Sequence, residues 1–260
     1  RIFPLLIASW PLVKHADLIL AINIAYGGVL GRLARAAYGR RYVTFAYAYE
    51  FLKFKRFSLA KTLYRNLYRN AETTVAISQF TRRNLEDFGV AGNLITTIFP
   101  GAHSPAPVDE QIIAALRKRW MLGDGRIVLA VGRFIPRKGH LTLVAAMPEV
   151  FESCPNTHLV MVGRGPCLEP CLQKARALRI EGQVHCPGYV SDQELAALYQ
   201  ACDVFALPTG EDEHGQVEGF GLVFSEAHAY GKPVVAGQSG GVMDAVIDGE
   251  TGLLVPPNDP

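Results

Sequence analysis

The residues best suited to chemistry lie in the second half of the chain. Gly132-Arg133-Phe134-Ile135-Pro136-Arg137-Lys138-Gly139 follows an apolar run at 127–131 and precedes a helical pattern. In open α/β sheets ligands bind outside the carboxyl ends of strands, which is where this segment falls. Arg133 offers a planar fork and Lys138 a point charge, a pair able to clamp a diphosphate. Gly132 and Gly139 allow the backbone to come close to a ligand. Further along, Glu218-Gly219-Phe220-Gly221-Leu222-Val223-Phe224-Ser225-Glu226 closes a polar loop and opens a helix. Helix N-termini attract anions through free N–H groups and the dipole. Glu218 and Glu226 are at most about 12 Å apart along a helix axis. That is the reach from the hexose of a sugar nucleotide, past its diphosphate, to its ribose, and carboxylates accept hydrogen bonds from sugar hydroxyls. Taken singly, each of these residues also reads as a surface cation or a helix-start charge; the combination is what points to a site.

Three weaker loops support the same place. Gly237-Gln238-Ser239-Gly240-Gly241 follows another apolar run and would expose backbone donors. Gly163-Arg164-Gly165-Pro166 follows a third; it lacks the G-K-[ST] ending of a Walker loop, and it reads as lining a nucleoside, with Arg164 at its centre. Pro187-Gly188-Tyr189-Val190-Ser191 offers backbone groups to a base edge. No D-x-D metal motif and no G-x-S-x-G elbow occur. Glu211-Asp212-Glu213-His214 is the nearest thing to a metal cluster, and it reads better as a solvated loop. No metal and no cofactor is therefore expected.

These loops need strands and helices to hold them. Apolar runs at 18–22, 42–46, 73–77, 95–99, 127–131, 158–162, 184–186, 204–207, 233–236 and 252–255 lack clean alternation, the pattern of parallel strands buried on both faces. Helical patterns at 26–38, 57–70, 79–88, 108–120, 140–151, 168–178, 192–201 and 222–230 lie between them. Ser78 is a start signal, as is Ser191 with Glu194, a capping box; Gly89 and Gly231 are stop signals. Such alternation predicts an α/β fold. Ten strands in one sheet would be unusual, and the proline-rich loop 100–107 marks a hinge. The expectation is two doubly wound domains facing a cleft, 1–103 and 104–260.

Bulk properties agree. The chain has 260 residues, a formal net charge of +2 and 19% charged residues, against the strong basic excess that nucleic acid requires. The five cysteines form no C-x2-C pair and read as reduced thiols of a cytoplasmic protein. The apolar segment 2–13 is too short to span a bilayer and is expected to pack as a buried helix. The absence of a starting Met and the ending just after a strand suggest a chain cut at both ends. Lys53, Lys55, Arg56, Lys61, Arg65 and Arg69, interleaved with Phe51, Phe54, Phe57, Tyr64 and Tyr68, form an amphipathic basic stretch. It reads as a solvated helix face or as a patch for anionic lipid head groups, which would make the protein peripheral to a membrane's inner face.

Four segments in one order, V-G-R-F-I-P-R-K-G-H, E-G-F-G-L-V-F-S-E-A, G-K-P-V-V-A-G-Q-S-G-G and D-G-E-T-G-L-L-V-P-P, make the chain from about 127 onward resemble the donor domain of retaining family 4 glycosyltransferases of GT-B fold. It is closest in motif to bacterial GDP-mannose-dependent mannosyltransferases, although UDP-sugar enzymes, including those using UDP-glucose, share the motifs. Residues 1 to about 100 are similar to the later half of the family's acceptor domain. The resemblance implies hexose transfer from a nucleotide-diphosphate sugar to a hydroxyl acceptor, lipid-linked or glycan. It implies that Arg133 and Lys138 hold the diphosphate, Glu218 the transferred sugar and Glu226 the ribose. Val190 would meet the base through its backbone, and the backbone of Gly219, Phe220, Gly221 and Leu222 would touch sugar and phosphate. Tyr47 departs from the pattern: 47–50 reads Tyr-Ala-Tyr-Glu where members often carry His-Gly-x-Glu. A nucleotide-sugar epimerase and a non-catalytic sugar-nucleotide binding module are the alternatives.

Overall fold

The computed structural model describes residues 2–48, 58–105 and 107–260. The chain divides into two compact units, Arg1–Pro100 and Gly101–Pro260.

In the first unit the described elements run α1 (Ile2–Val13), β1 (Leu18–Ala21), α2 (Val29–Tyr38), β2 (Arg41–Ala46), α3 (Ser58–Arg69), β3 (Thr73–Ala76), α4 (Gln79–Asp87) and β4 (Ile95–Thr97). The strands form one parallel sheet in sequence order. Local chemistry sets the boundaries. The Asn23 side chain accepts from the N–H groups of Ala25 and Tyr26 and starts the wide turn that leads into α2. Ser78 accepts from Thr81 N–H and starts α4. Ala46, Leu67, Tyr68, Ala76, Leu85 and Phe88 make the core.

Two expectations fail here. Segment 2–13 is a helix but not a buried one: Leu5, Ile7 and Leu12 are 54%, 73% and 74% exposed. Through Leu6, Trp10 and Val13 it packs with Leu30 and Ala34 of α2. Nor is β1 covered on both faces, since Leu18 and Leu20 are 44% and 60% exposed. As the edge of the described sheet it has a single neighbour, β2. Much of the basic stretch (51–57) and the pair Tyr49 and Glu50 lie outside the described residues.

The second unit runs α5 (Glu110–Arg119), β5 (Arg126–Val131), α6 (His140–Ser153), β6 (Thr157–Val162), α7 (Leu168–Ala177), β7 (Val184–Gly188), α8 (Asp192–Ala201), β8 (Val204–Leu207), α9 (Leu222–Ala229), β9 (Val234–Gly237) and β10 (Gly252–Val255). Its six strands are parallel, in the order β10-β9-β8-β5-β6-β7. Side chains from both faces form one core, with Leu129, Phe134, Val144, Leu159, Met161, Phe205 and Phe224 at or near full burial. Burial of each such side chain stabilises by about 1.5–3 kcal/mol. β7 runs on through Pro187, tolerated because it is an edge strand and that N–H has no ladder to join. The capping box of Ser191 and Glu194 is formed. All five cysteines are free. Among the described residues no helix is long and apolar enough to cross a membrane.

Candidate functional site

From β5 the chain builds outward to β6 and β7, then returns to β5's other side with β8 and continues to β9 and β10. The direction of winding therefore reverses between β5 and β8. Loops diverge at such a switch point, and their carboxyl ends open a crevice. The loop after β5 carries Arg133, Arg137 and Lys138; the loop after β8 carries Glu218.

These loops are tied together by backbone. Gly210 N–H donates to Arg137 O at 2.9 Å, and Gly241 N–H donates to Glu218 O at 2.8 Å. Ser239 Oγ donates to Gly210 O at 3.4 Å. Pro136–Lys138 makes one tight turn ending at Gly139 in the left-handed region, φ 72°. A Cβ there would stand 1.9 Å from Pro208 O, so only glycine lets the β5 loop close against the end of β8. Gly163 does the same on the other side: its φ is 144°, and a Cβ would stand 1.9 Å from Gly132 O.

One oxygen gathers the charges. Glu218 Oε2 accepts from Lys138 Nζ at 2.7 Å and from Arg137 Nη1 at 2.8 Å. The three side chains are only 11–16% exposed. Burial pushes the Glu218 carboxyl up, but Lys138 and then Arg137 more than offset this and hold it below the ordinary range. Arg133 is exposed and, among the described residues, has no ion pair; Arg164 is likewise exposed and unpaired. Beside Lys138, His140 opens α6 with its ring 1% exposed and stacked on Phe134, centroids 4.1 Å apart. Burial, with a further push from Lys138, lowers its pKa to about 4, so the ring is neutral.

Glu226 lies one turn into α9. Its Oε2 accepts from Tyr199 Oη at 2.7 Å. Tyr199, 3% exposed on α8, is stacked between Phe205 and Tyr230, centroids 5.8 and 5.5 Å away. The phenol is held protonated, its pKa raised by burial and then by the Glu226 charge. Gly221, in the left-handed region, precedes α9, and no side chain caps that helix start. Gly219 is half-buried, Phe220 buried and Leu222 45% exposed.

The structure thus joins Lys138 to Glu218 directly and gathers Gly132, Arg133 and Gly219–Leu222 on the loops around the switch point. Val190, 8% exposed, and Arg164 sit beyond β7 and β6; a Cβ on Gly188 would come 3.9 Å from Arg164 Nε. Arg137 and Tyr199 are not singled out by the sequence, and His140 reads there simply as a core or surface residue of a helix; the structure makes it core. A third cation beside Lys138 was the one visible hint of Arg137; Tyr199 pairs with a residue of another element and left none. In the acidic run, Asp212 Oδ1 accepts from the N–H groups of His214 and Gln216, and Glu213 and His214 are exposed. Tyr47 is 42% exposed, next to Ala48 at φ 74°.

A parallel sheet whose winding reverses at a cation–carboxylate cluster, with an uncapped helix start beside it, is the arrangement of an open α/β domain with a crevice at its strands' carboxyl ends. Sequence comparison makes the class specific. Residues 113–260 match the family of glycosyl transferases group 1, and residues 1–104 match glycosyltransferase family 4. The chain belongs to the glycosyl transferases group 1. It is similar to the GDP-mannose-dependent alpha-(1-6)-phosphatidylinositol monomannoside mannosyltransferase of Mycolicibacterium smegmatis, 37% identical over 89% of this chain and 61% of the relative. The D-inositol 3-phosphate glycosyltransferase of Corynebacterium aurimucosum is 34% identical over 74% of this chain and 46% of the relative. The chain therefore spans less than two thirds of the length of these curated relatives. Among solved structures, Anabaena HepE in complex with UDP superposes with a TM-score of 0.84 at 26% identity, covering 98% of this chain and 69% of that one. Sucrose-phosphate synthase from Thermosynechococcus elongatus superposes with a TM-score of 0.79 at 27% identity, covering 98% and 65%. The fold is GT-B, as the resemblance implied.

Proposed function

We propose that the protein carrying this chain transfers a hexose from a nucleotide-diphosphate sugar to a hydroxyl acceptor with retention, and that the unit Gly101–Pro260 binds the donor. The observation that carries the reading is the Arg137–Lys138–Glu218 cluster at the switch point between β5 and β8. Lys138 and the exposed Arg133 supply positive charge for a diphosphate; the uncapped start of α9 supplies N–H groups. Glu218 faces the sugar, and Glu226, held by Tyr199, faces the ribose. Val190 meets the base through its backbone, with Arg164 at the nucleoside end.

In transfer, the bond between the anomeric carbon and the diphosphate breaks and negative charge grows on the leaving oxygen. Arg133, Lys138 and the start of α9 stabilise that charge from fixed positions. The acceptor hydroxyl oxygen bonds to the anomeric carbon on the face the diphosphate leaves and passes its proton to the departing phosphate, so this chain need supply no side-chain base, metal or cofactor. The names of the relatives favour GDP-mannose as donor and a lipid-linked acceptor, and UDP in the Anabaena neighbour keeps UDP-sugars as the comparison. A lipid-linked acceptor would suit a protein working at the inner face of the membrane. On α3, Leu59 and Leu63 are 85% and 52% exposed beside Lys61 and Arg65, which suits contact with a lipid surface.

Calorimetric titration of the intact protein with GDP, UDP, GDP-mannose and UDP-glucose tests the reading. One nucleotide class should bind, and Lys138→Met should weaken it at least about tenfold. Arg133→Ala should lower kcat roughly 100-fold with the preferred donor. Binding of none of the four ligands would end the donor-site reading. Turnover of donor alone to an isomeric sugar nucleotide would replace transferase with epimerase.

A further inference from the structure

The two cations on Glu218 are not equivalent. Lys138 carries a compact charge on a flexible stem, free to turn from one anion to another. Arg137 is tied at both ends: its carbonyl accepts from Gly210 N–H at 2.9 Å, and its Nη1 donates to Glu218 Oε2 at 2.8 Å. Glu218 is also fixed through its backbone by Gly241 N–H. A diphosphate arriving at Lys138 competes with the carboxylate for the same ammonium. A carboxylate 16% exposed that lost its only cation would be left buried and unpaired, at heavy cost. That cost would oppose donor binding unless a second cation stayed behind.

We propose that Arg137 is the positioning residue of the donor site, retaining the Glu218 carboxylate so that Lys138 is released to the diphosphate. The inference rests on the donor-site reading above and adds a residue to it. Arg137 acts through Glu218, and it need not touch the nucleotide.

A double-mutant cycle on the intact protein separates this from a direct role, with GDP and UDP as probes in calorimetric titration. Arg137→Gln should weaken the binding nucleotide about tenfold, because Glu218 then holds Lys138 alone. Arg137→Lys, which keeps a cation in reach, should recover affinity to within about threefold, showing that the site still folds. In a Glu218→Gln background no carboxylate competes, and adding Arg137→Gln should change affinity by less than about twofold. An undiminished loss in that background would overturn the inference while leaving the donor site intact, since Arg137 would then act on the nucleotide through its own charge. No loss on Arg137→Gln alone would overturn it too. If wild-type protein bound neither nucleotide, the donor-site reading would fall and this inference with it.

Discussion

Removing one oxygen atom from Tyr199 tests the proposed ribose end of the site. Tyr199→Phe deletes the hydroxyl that donates to Glu226 Oε2 at 2.7 Å and leaves both ring stacks in place. A hydrogen bond to a charged group contributes about 1.5–3 kcal/mol. Glu226 is only half-buried and would regain some water, so the loss should be about 2 kcal/mol. For a unit of this size that lowers Tm by about 4–8 °C. The two tryptophans lie in different units, Trp10 on α1 and Trp120 after α5. In a Trp10→Phe background, Trp120 fluorescence therefore follows the unit Gly101–Pro260 alone, which avoids forcing one transition on two units. The effect also has a sign in alkali. Tyr199 titrates above its ordinary value in the folded state, through burial and then the Glu226 charge. Its stabilisation is fully present below pH ~10, where the unfolded phenol is neutral, and is lost as pH rises beyond that. The difference between wild type and Tyr199→Phe should therefore shrink above about pH 10. A difference below about 0.5 kcal/mol at pH 7 would show that Tyr199 does not hold Glu226, and a difference unchanged in alkali would show that its phenol is not held neutral by burial.

Gly163→Ala should destabilise the unit Gly101–Pro260 by about 3 kcal/mol or more, since its Cβ would meet Gly132 O at 1.9 Å with φ at 144°. Gly182→Ala, with nothing within 4 Å, should be neutral or slightly stabilising, and equal unfolding midpoints for the two would contradict the packing described. Acid should weaken the protein through two imidazoles held neutral, the buried His140 and the half-buried His185. Burial and Lys138 hold His140 near 4, and burial with His158 holds His185 near 4, both below the ordinary value of 6.5. Their stabilisation is present above pH 6.5 and lost as pH falls toward 4, on the order of 3 kcal/mol for His140. His140→Leu should flatten that slope in urea titrations between pH 7 and 4; an unchanged slope would mean that His140 is not held neutral. Arg119→Ala breaks the ion pair with Glu194 but leaves the Ser191 cap, so a loss above about 1 kcal/mol would be unexpected.

The order of elements was legible because strands buried in a parallel sheet advertise themselves as short apolar runs, and all ten runs became strands. Helix ends were legible where a side chain or glycine closes them locally, as at Ser78, Ser191, Gly89 and Gly231. Burial was less so. Apolar content makes α1 helical, but which face is covered depends on neighbours the pattern does not name, and Leu5, Ile7 and Leu12 stay open. The strand at 184–186 runs on to Gly188 because an edge position excuses Pro187. In the site, Lys138 and Glu218 could be proposed from type and spacing. Arg137 and Tyr199 could not, because their partners lie some 81 and 27 positions away on other elements. Only the sheet's winding brings those elements together.

That winding also sets a timetable. β5 lies beside β8 with Val128 opposite Val204, a pairing across about 75 residues that makes closure of the sheet intrinsically late. On the ribosome Arg137 and Lys138 emerge roughly 80 residues before Glu218, a delay of about 4–16 s at ordinary rates of synthesis. During that interval both cations are without their Glu218 partner and one side of β5 is unpaired. The arrival of β8 and Glu218 closes both gaps together, so the ion cluster and the sheet are completed in one event.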